Sequence, residues 1–385
     1  MISRRALLAG LGAAPLLLAG RATAQGRAGG GAIALRDYRL WLDVSIGGRG
    51  PWPFLVDTGA FVNLIREDLA RALGLRTAGP LNMRGIGGPT TGTLYRALDV
   101  RLGAVAAGAM AFAGLGAEVR SHPAAMGALS ASLLTFADSE LDFDAMTWRR
   151  WPEGQSERTG YAQLPGGIQV ARPGGGASTL FVDAAIDGQS YRLQVDTGSP
   201  AQVHLWSRAT RRSGLWDDGR PFAPVRPSGI GGEGGRGRLK RLGEVRLGGI
   251  AFPRALAVLE DPAANDRHLG DGLIGLPLVQ RMNLSTDVRR GLLWARTNAQ
   301  PPAPDRYGLS GLWVETARAG GLAVVEVSPA SPAAEAGLRV GDTIPDYALD
   351  AFVSRLSGRP GDVIAFAYQR GGIVHQARLV LRAFL

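Results

Sequence analysis

The sequence predicts a mostly β protein: two related lobes followed by a small α+β domain. Three observations carry that expectation. Glycine (56) and proline (23) are abundant in 385 residues, a composition of turn-rich β structure. One stretch occurs twice, as Phe54-Leu-Val-Asp-Thr-Gly-Ala60 and as Leu193-Gln-Val-Asp-Thr-Gly-Ser199. A proline-rich run at 299–306 then sets residues 307–385 apart from both copies. With 45% hydrophobic and 20% charged residues, the chain has a globular composition rather than a disordered one.

In each copy an apolar run enters Asp-Thr-Gly and apolar residues follow: Val62, Leu64 and Ile65 in the first, Val203, Leu205 and Trp206 in the second. A buried strand ending in a polar tight turn delivers one carboxylate at its tip, and the glycine keeps side-chain bulk away from the acid. The surroundings repeat as well. A strand-like segment ends at Ile46 before the first motif and at Ile186 before the second, each followed by a glycine turn. Residues 84–88 are echoed by 228–232, and 126–130 by 271–275. A half-repeat of more than a hundred residues is too long for a solenoid unit and implies two lobes, each giving one acid, Asp57 or Asp196, to a shared cleft.

These motifs resemble the aspartic peptidases, in a single-chain, two-lobed, retropepsin-like form, over roughly residues 34–298. The paired Val-Asp-Thr-Gly-Ala/Ser turns and the Leu273-Ile274-Gly275 element carry the resemblance. It implies a bilobal β-barrel-like fold and an endopeptidase with Asp57 and Asp196 as catalytic acids and no cofactor. It further implies that Thr58, Gly59 and Ala60, with Thr197, Gly198 and Ser199, support the active-site loops, the two threonines by hydrogen-bonding across to the opposite loop. Gly85, Ile86, Gly87 and Gly88 become the tip of a flap. One departure stands out: the first lobe has Ser130 where the family has glycine.

Taken in order, residues 1–24 read as an export signal. Arg4 and Arg5 precede an apolar run at 6–19, and Ala22-Thr-Ala24 is a cleavage site. Ser3-Arg-Arg also resembles a twin-arginine signal. Periplasmic or secreted localisation is the expectation. Removing these residues takes away three arginines and lowers the net charge from +10 to +7. The remaining arginines are scattered, with no aromatic-interleaved basic stripe, which argues against nucleic acid as a partner. No cysteine is present, so disulfides and thiolate chemistry are excluded. The four histidines stand far apart, without metal-ligand spacing.

Residues 25–33 are expected to be flexible. Lobe one covers 34–152 and lobe two 153–298. After each motif comes a short helix, at 66–73 with Gly74 at its end, and from Ser207, a candidate N-cap, to near Gly214. The apolar run 104–117 is short and glycine-broken, which suits core strands and not a membrane span. Residues 229–234 fit G-x-G-x-x-G, but no apolar helix periodicity follows, so a hairpin tip is the better reading.

Beyond the linker, a strand at 321–327 and the segment 328–344, with its Gly341-Asp342 turn, resemble the PDZ signature. A helix at 351–356 and strands at 363–369 and 374–381 complete the expectation. The candidate peptide-carboxylate loop is Gly308, Leu309, Ser310, Gly311 and Leu312. A domain of this kind takes an extended peptide by strand addition; bracing the rest of the protein is the alternative use.

Two carboxylates within hydrogen-bond distance cannot both ionise cheaply, so they share a proton. Such a pair activates water for amide hydrolysis, which makes proteins or peptides the substrates. The contrasting reading is a non-catalytic peptide-binding or scaffold protein that retains the fold. Since Ser199 has a hydroxyl where the first motif has Ala60, the expectation is that Ser199 donates to Asp196 and favours its ionised form, leaving the proton on Asp57.

Overall fold

The computed structural model describes residues 28–85, 87–116, 122–155, 157–170, 177–265, 268–318 and 320–385. The export-signal reading of 1–24 and the flap residue Ile86 lie outside the described residues. The protein is mostly β.

The same strand pattern is built twice. The first motif ends the strand Arg49–Val56, whose last three residues, Phe54, Leu55 and Val56, are buried. The second ends Gln189–Asp196, with Leu193 and Val195 inward. Each motif strand pairs in parallel with a short one, Val56 opposite Leu129 in Gly127–Leu129 and Val195 opposite Ile274 in Gly272–Gly275. On its other side that short strand pairs antiparallel with Asn63–Arg66 or Val203–Leu205. These two run parallel to Val105–Leu115 and Leu256–Glu260. The pairing buries the short strands on both edges, which fits their apolar runs. Both motif turns are thus held at the ends of central strands, and neither is a free surface loop.

Short helices follow at Glu67–Ala72 and Ser207–Ser213. Gly74 and Gly214 take left-handed φ values of +65° and +70° just past them, the usual glycine stop. Ser207 is not the cap. Trp206 holds that position, and the Ser207 hydroxyl bonds Glu260 Oε2 at 3.1 Å.

The lobes are joined beneath the cleft by a common sheet. Asp138–Asp142 of lobe one pairs with Met282–Asp287 of lobe two, Leu141 opposite Leu284. A single hydrophobic core runs through both lobes and includes Leu141, Trp148, Leu284 and Leu293. The glycine run at 29–31, read as part of a flexible stretch, instead opens the strand Gly29–Arg36 and pairs with Thr147–Trp151. Glycine is what lets it pack there, since a Cβ on Gly30 would lie 2.3 Å from the Trp148 carbonyl oxygen.

Residues 312–380 form a five-stranded antiparallel sheet whose strands pair in sequence order. Its core includes Val324, Ile344, Phe352 and Leu379. The helix Leu349–Leu356 starts two residues earlier than expected, and the strand after the Gly341-Asp342 turn is present but short, Thr343–Ile344. This domain is docked on lobe two. The Phe222 amide donates to Ser328 Oγ (2.8 Å), and Arg238 pairs with Glu326 (2.9 Å). Tyr307, Phe384 and Leu385 pack over Ala223, Leu239 and Leu256. The connector is pinned at its start, where the Ala299 amide donates to Asp144 Oδ1 (2.9 Å), and near its end by Gln202 to Asp305 (3.2 Å). No helix among the described residues is long and apolar enough to cross a membrane.

Candidate active site

The two motif turns meet head to head. Thr58 and Thr197 are fully buried and make four hydrogen bonds across the lobe boundary, two of them to each other. The Thr58 amide donates to Thr197 Oγ1 (3.1 Å) and the Thr197 amide to Thr58 Oγ1 (3.0 Å). Each hydroxyl in turn donates to a carbonyl of the opposite strand, Thr58 to Val195 (2.8 Å) and Thr197 to Val56 (2.7 Å). Every donor and acceptor in this lock is satisfied, and each hydroxyl both gives and receives.

The lock sets the spacing of the acids. A Cβ on Gly59 would lie 2.4 Å from Asp196 Cγ, and one on Gly198 would lie 2.4 Å from Asp57 Cγ. The motif glycines are therefore required by close approach, each making room for the other lobe's acid. Neither has a positive φ. Asp57 Oδ1 accepts from the Gly59 amide (3.1 Å) and Asp196 Oδ1 from the Gly198 amide (2.8 Å). The two carboxyl groups also hydrogen-bond each other.

Burial is the largest influence on both acids and raises both above the ordinary carboxylate range. Asp196 is pushed up further by the charge of Asp57, and lies well above that range. Asp57 is held back by the bond from Asp196, by the amides of Gly59 and Ala60, and by the positive charge of Arg39. The bond from the Ser199 hydroxyl to Asp196, expected from the sequence, is not made. The reason is local. Ser199 Oγ accepts from the Ala201 amide (3.3 Å), and it is the Ser199 amide that addresses Asp196, just as the Ala60 amide addresses Asp57.

Ser130 is absorbed without disturbing this geometry. Its amide (2.9 Å) and hydroxyl (3.1 Å) both donate to Asn63 Oδ1, and it is buried.

The hairpin glycines Gly85, Gly87 and Gly88 meet a second hairpin tip. The Gly87 amide donates to the Ile230 carbonyl (3.0 Å), and Cβ atoms on Gly85 or Gly231 would strike Ile230 O or Gly88 O (2.3 and 2.4 Å). Gly88, Gly231 and Gly232 all have positive φ. The 228–233 hairpin was legible as a hairpin, but its contact with the first was not.

Sequence reasoning also missed Arg39. Its Nη1 donates to the Gly198 carbonyl at 3.2 Å, and its charge acts on both acids, on Asp57 more strongly. Across the cleft, Gln194 Nε2 donates to the Gly59 carbonyl (3.0 Å).

In the C-terminal domain, Gly308, Leu309, Ser310 and Leu312 line a cavity of about 970 Å³, together with Val353 and Leu356 of the helix. Gly311 is not among the lining residues; it takes φ +67° where a Cβ would meet Ser331. Among the described residues no three His, Cys, Asp or Glu side chains are placed to hold a metal ion.

Residues 42–134, which carry Asp57, match the family model for aspartyl protease. The aspartic proteinase from Irpex lacteus is a structural neighbour at 14% identity and TM-score 0.45, over 71% of this chain and 98% of that one. No curated protein matches. The family match supports an aspartic-peptidase-like fold for the matched segment and a protease-like function with protein substrates.

Proposed function

We propose that this protein is an aspartic endopeptidase. The observation that carries the reading is the pair of half-buried, mutually hydrogen-bonded acids, Asp57 and Asp196, presented by equivalent turns and fixed by the Thr58–Thr197 lock.

In this reading a water sits between the carboxyl groups. The ionised carboxylate of the pair removes its proton while the protonated one donates a hydrogen bond to the scissile carbonyl. The hydroxyl adds to the carbonyl carbon and gives a tetrahedral diol. A proton then passes to the amide nitrogen, the C–N bond breaks, and no covalent intermediate forms. The touching tips at 85–88 and 228–233 act as paired flaps, since their glycines permit the backbone movement that admitting a substrate chain requires.

The C-terminal domain in this reading is PDZ-like. Its cavity lies beside the edge strand Leu312–Thr316, where an extended peptide can add a strand. Its docking on lobe two supports a bracing role as well. Residues 1–24 direct export to the periplasm or beyond, and the mature chain starts at Gln25.

The test is incubation of the mature chain with casein between pH 3 and 7 in ¹⁸O water. Cleavage with one ¹⁸O in each new carboxyl and no initial burst is expected. Intact casein across that range would overturn the proposal, and so would a stoichiometric burst.

A further inference from the structure

We infer that Arg39 is a specificity residue: its guanidinium recognises a carboxylate on the substrate beside the scissile bond, so that acidic peptides are preferred. This rests on the peptidase reading and names its substrate class.

Arg39 opens the strand Arg39–Ile46, which pairs antiparallel with the first motif strand. The guanidinium is half-buried and is anchored from one side by the Gly198 carbonyl, in the loop that packs against Asp57. It has five N–H donors and is always charged. Among the described residues no carboxylate lies within 4.0 Å of it, although its charge is felt by both acids. Arg158 shows the contrast: it pairs with Asp138 at 2.8 Å and Asp287 at 3.8 Å. A charged fork with one neutral anchor, next to the reacting centre, has donors left for a ligand, and a carboxylate is the planar anion that fits it.

The charge is also one-sided. Trp41 stands opposite Leu55 in lobe one, and Phe181 opposite Gln194 in lobe two. Two residues before Phe181 is Thr179, a buried neutral side chain at the place equivalent to Arg39. The lock is symmetric without Arg39, so its presence is not needed to bring the acids together. A singly charged dyad repels a substrate carboxylate, and the cation offsets that repulsion in one half of the cleft only.

The carboxylate can come from an acidic side chain or from a peptide terminus. The experiment separates them. A quenched-fluorescent peptide, taken from a site the wild type cleaves in casein, is made with Glu or Gln at each of the positions flanking the bond. A second pair has a free or an amidated C-terminus. Values of kcat/KM are compared as ratios within each pair, so that any general loss in a variant cancels.

The expected wild-type preference for the carboxylate member of at least one pair is about tenfold or more. It should fall to near unity in Arg39→Met and be partly restored in Arg39→Lys. Preference in the Glu series assigns a side-chain carboxylate, and preference only for the free terminus assigns the chain end. Ratios near unity in the wild type overturn the inference, as do ratios that survive in Arg39→Met; in both cases the peptidase reading stands. Failure of the wild type to cleave any peptide sinks both together.

Discussion

The two lobes place equivalent acids in equivalent turns, yet differ where the packing behind each turn permits it. Behind Asp196 the short strand ends in Gly275, and a Cβ there would lie 2.0 Å from the Ala201 carbonyl oxygen. Behind Asp57 the same place holds Ser130, and Asn63 supplies the acceptor for its amide and hydroxyl. By strand register the lobe-two position matching Asn63 is Val203, which offers no such group. One lobe makes room with glycine, and the other accommodates a hydroxyl with a polar partner. What does not vary is the Thr58–Thr197 lock and the close seat of each glycine on the other lobe's acid. Both constant features cross the lobe boundary.

The largest effect should come from breaking that invariant part. Gly59→Ala and Gly198→Ala each push a methyl into the opposite carboxyl, and each should lower kcat by more than about a hundredfold, since the acids must separate. Equal, large losses measured on one peptide would support the symmetric reading. Near-normal kcat in either variant would show that the loops yield.

The next effect sharpens the difference between the lobes. Gly275→Ser meets backbone oxygens on a buried strand and should cost about 3 kcal/mol in urea unfolding. Ser130→Gly loses side-chain bonds but creates no clash and should cost about 1 kcal/mol. Equal costs would mean that the serine in lobe one is no better accommodated than one in lobe two.

The smallest effect concerns pH. The folded-state pKa of Asp196 lies above its unfolded value. For an acid so raised, the contribution to stability is present below the ordinary carboxylate range and is lost as pH rises through the raised value. Asp196→Asn removes this liability. At pH 7 its Tm should exceed that of the wild type by a few degrees, with the gap closing below about pH 4. A variant no more stable than the wild type at pH 7 would show that the pair carries no such penalty.

The repeat made the doubled architecture and the pairing of Asp57 with Asp196 legible, because both follow from local apolar runs ending in the same turn. The lock was legible only through resemblance. What stayed hidden depends on contacts between distant positions. Arg39 reaches Gly198 across 159 residues, and Asn63 answers Ser130 across 67. The role of the Ser199 hydroxyl was misjudged because its oxygen is placed toward the Ala201 amide, from which it accepts, and the residue meets Asp196 through its backbone amide. The glycine run at 29–31 read as loose because composition does not show that Trp148 and Gly103 leave no room for side chains. The docking of the last domain rests on Tyr307, Phe384 and Leu385, whose partners lie in lobe two.

The central claim is that two lobes supply one machine. The most direct test is a cycle of Asp57→Asn, Asp196→Asn and the double variant, with kcat/KM measured on one quenched-fluorescent peptide and folding checked by thermal unfolding. Each single variant should lose at least about a thousandfold, and the double should lose little more than either. Acids that act as one unit cannot be removed twice. A folded single variant that keeps more than a few per cent of the wild-type rate would contradict the shared dyad, as would losses that multiply in the double.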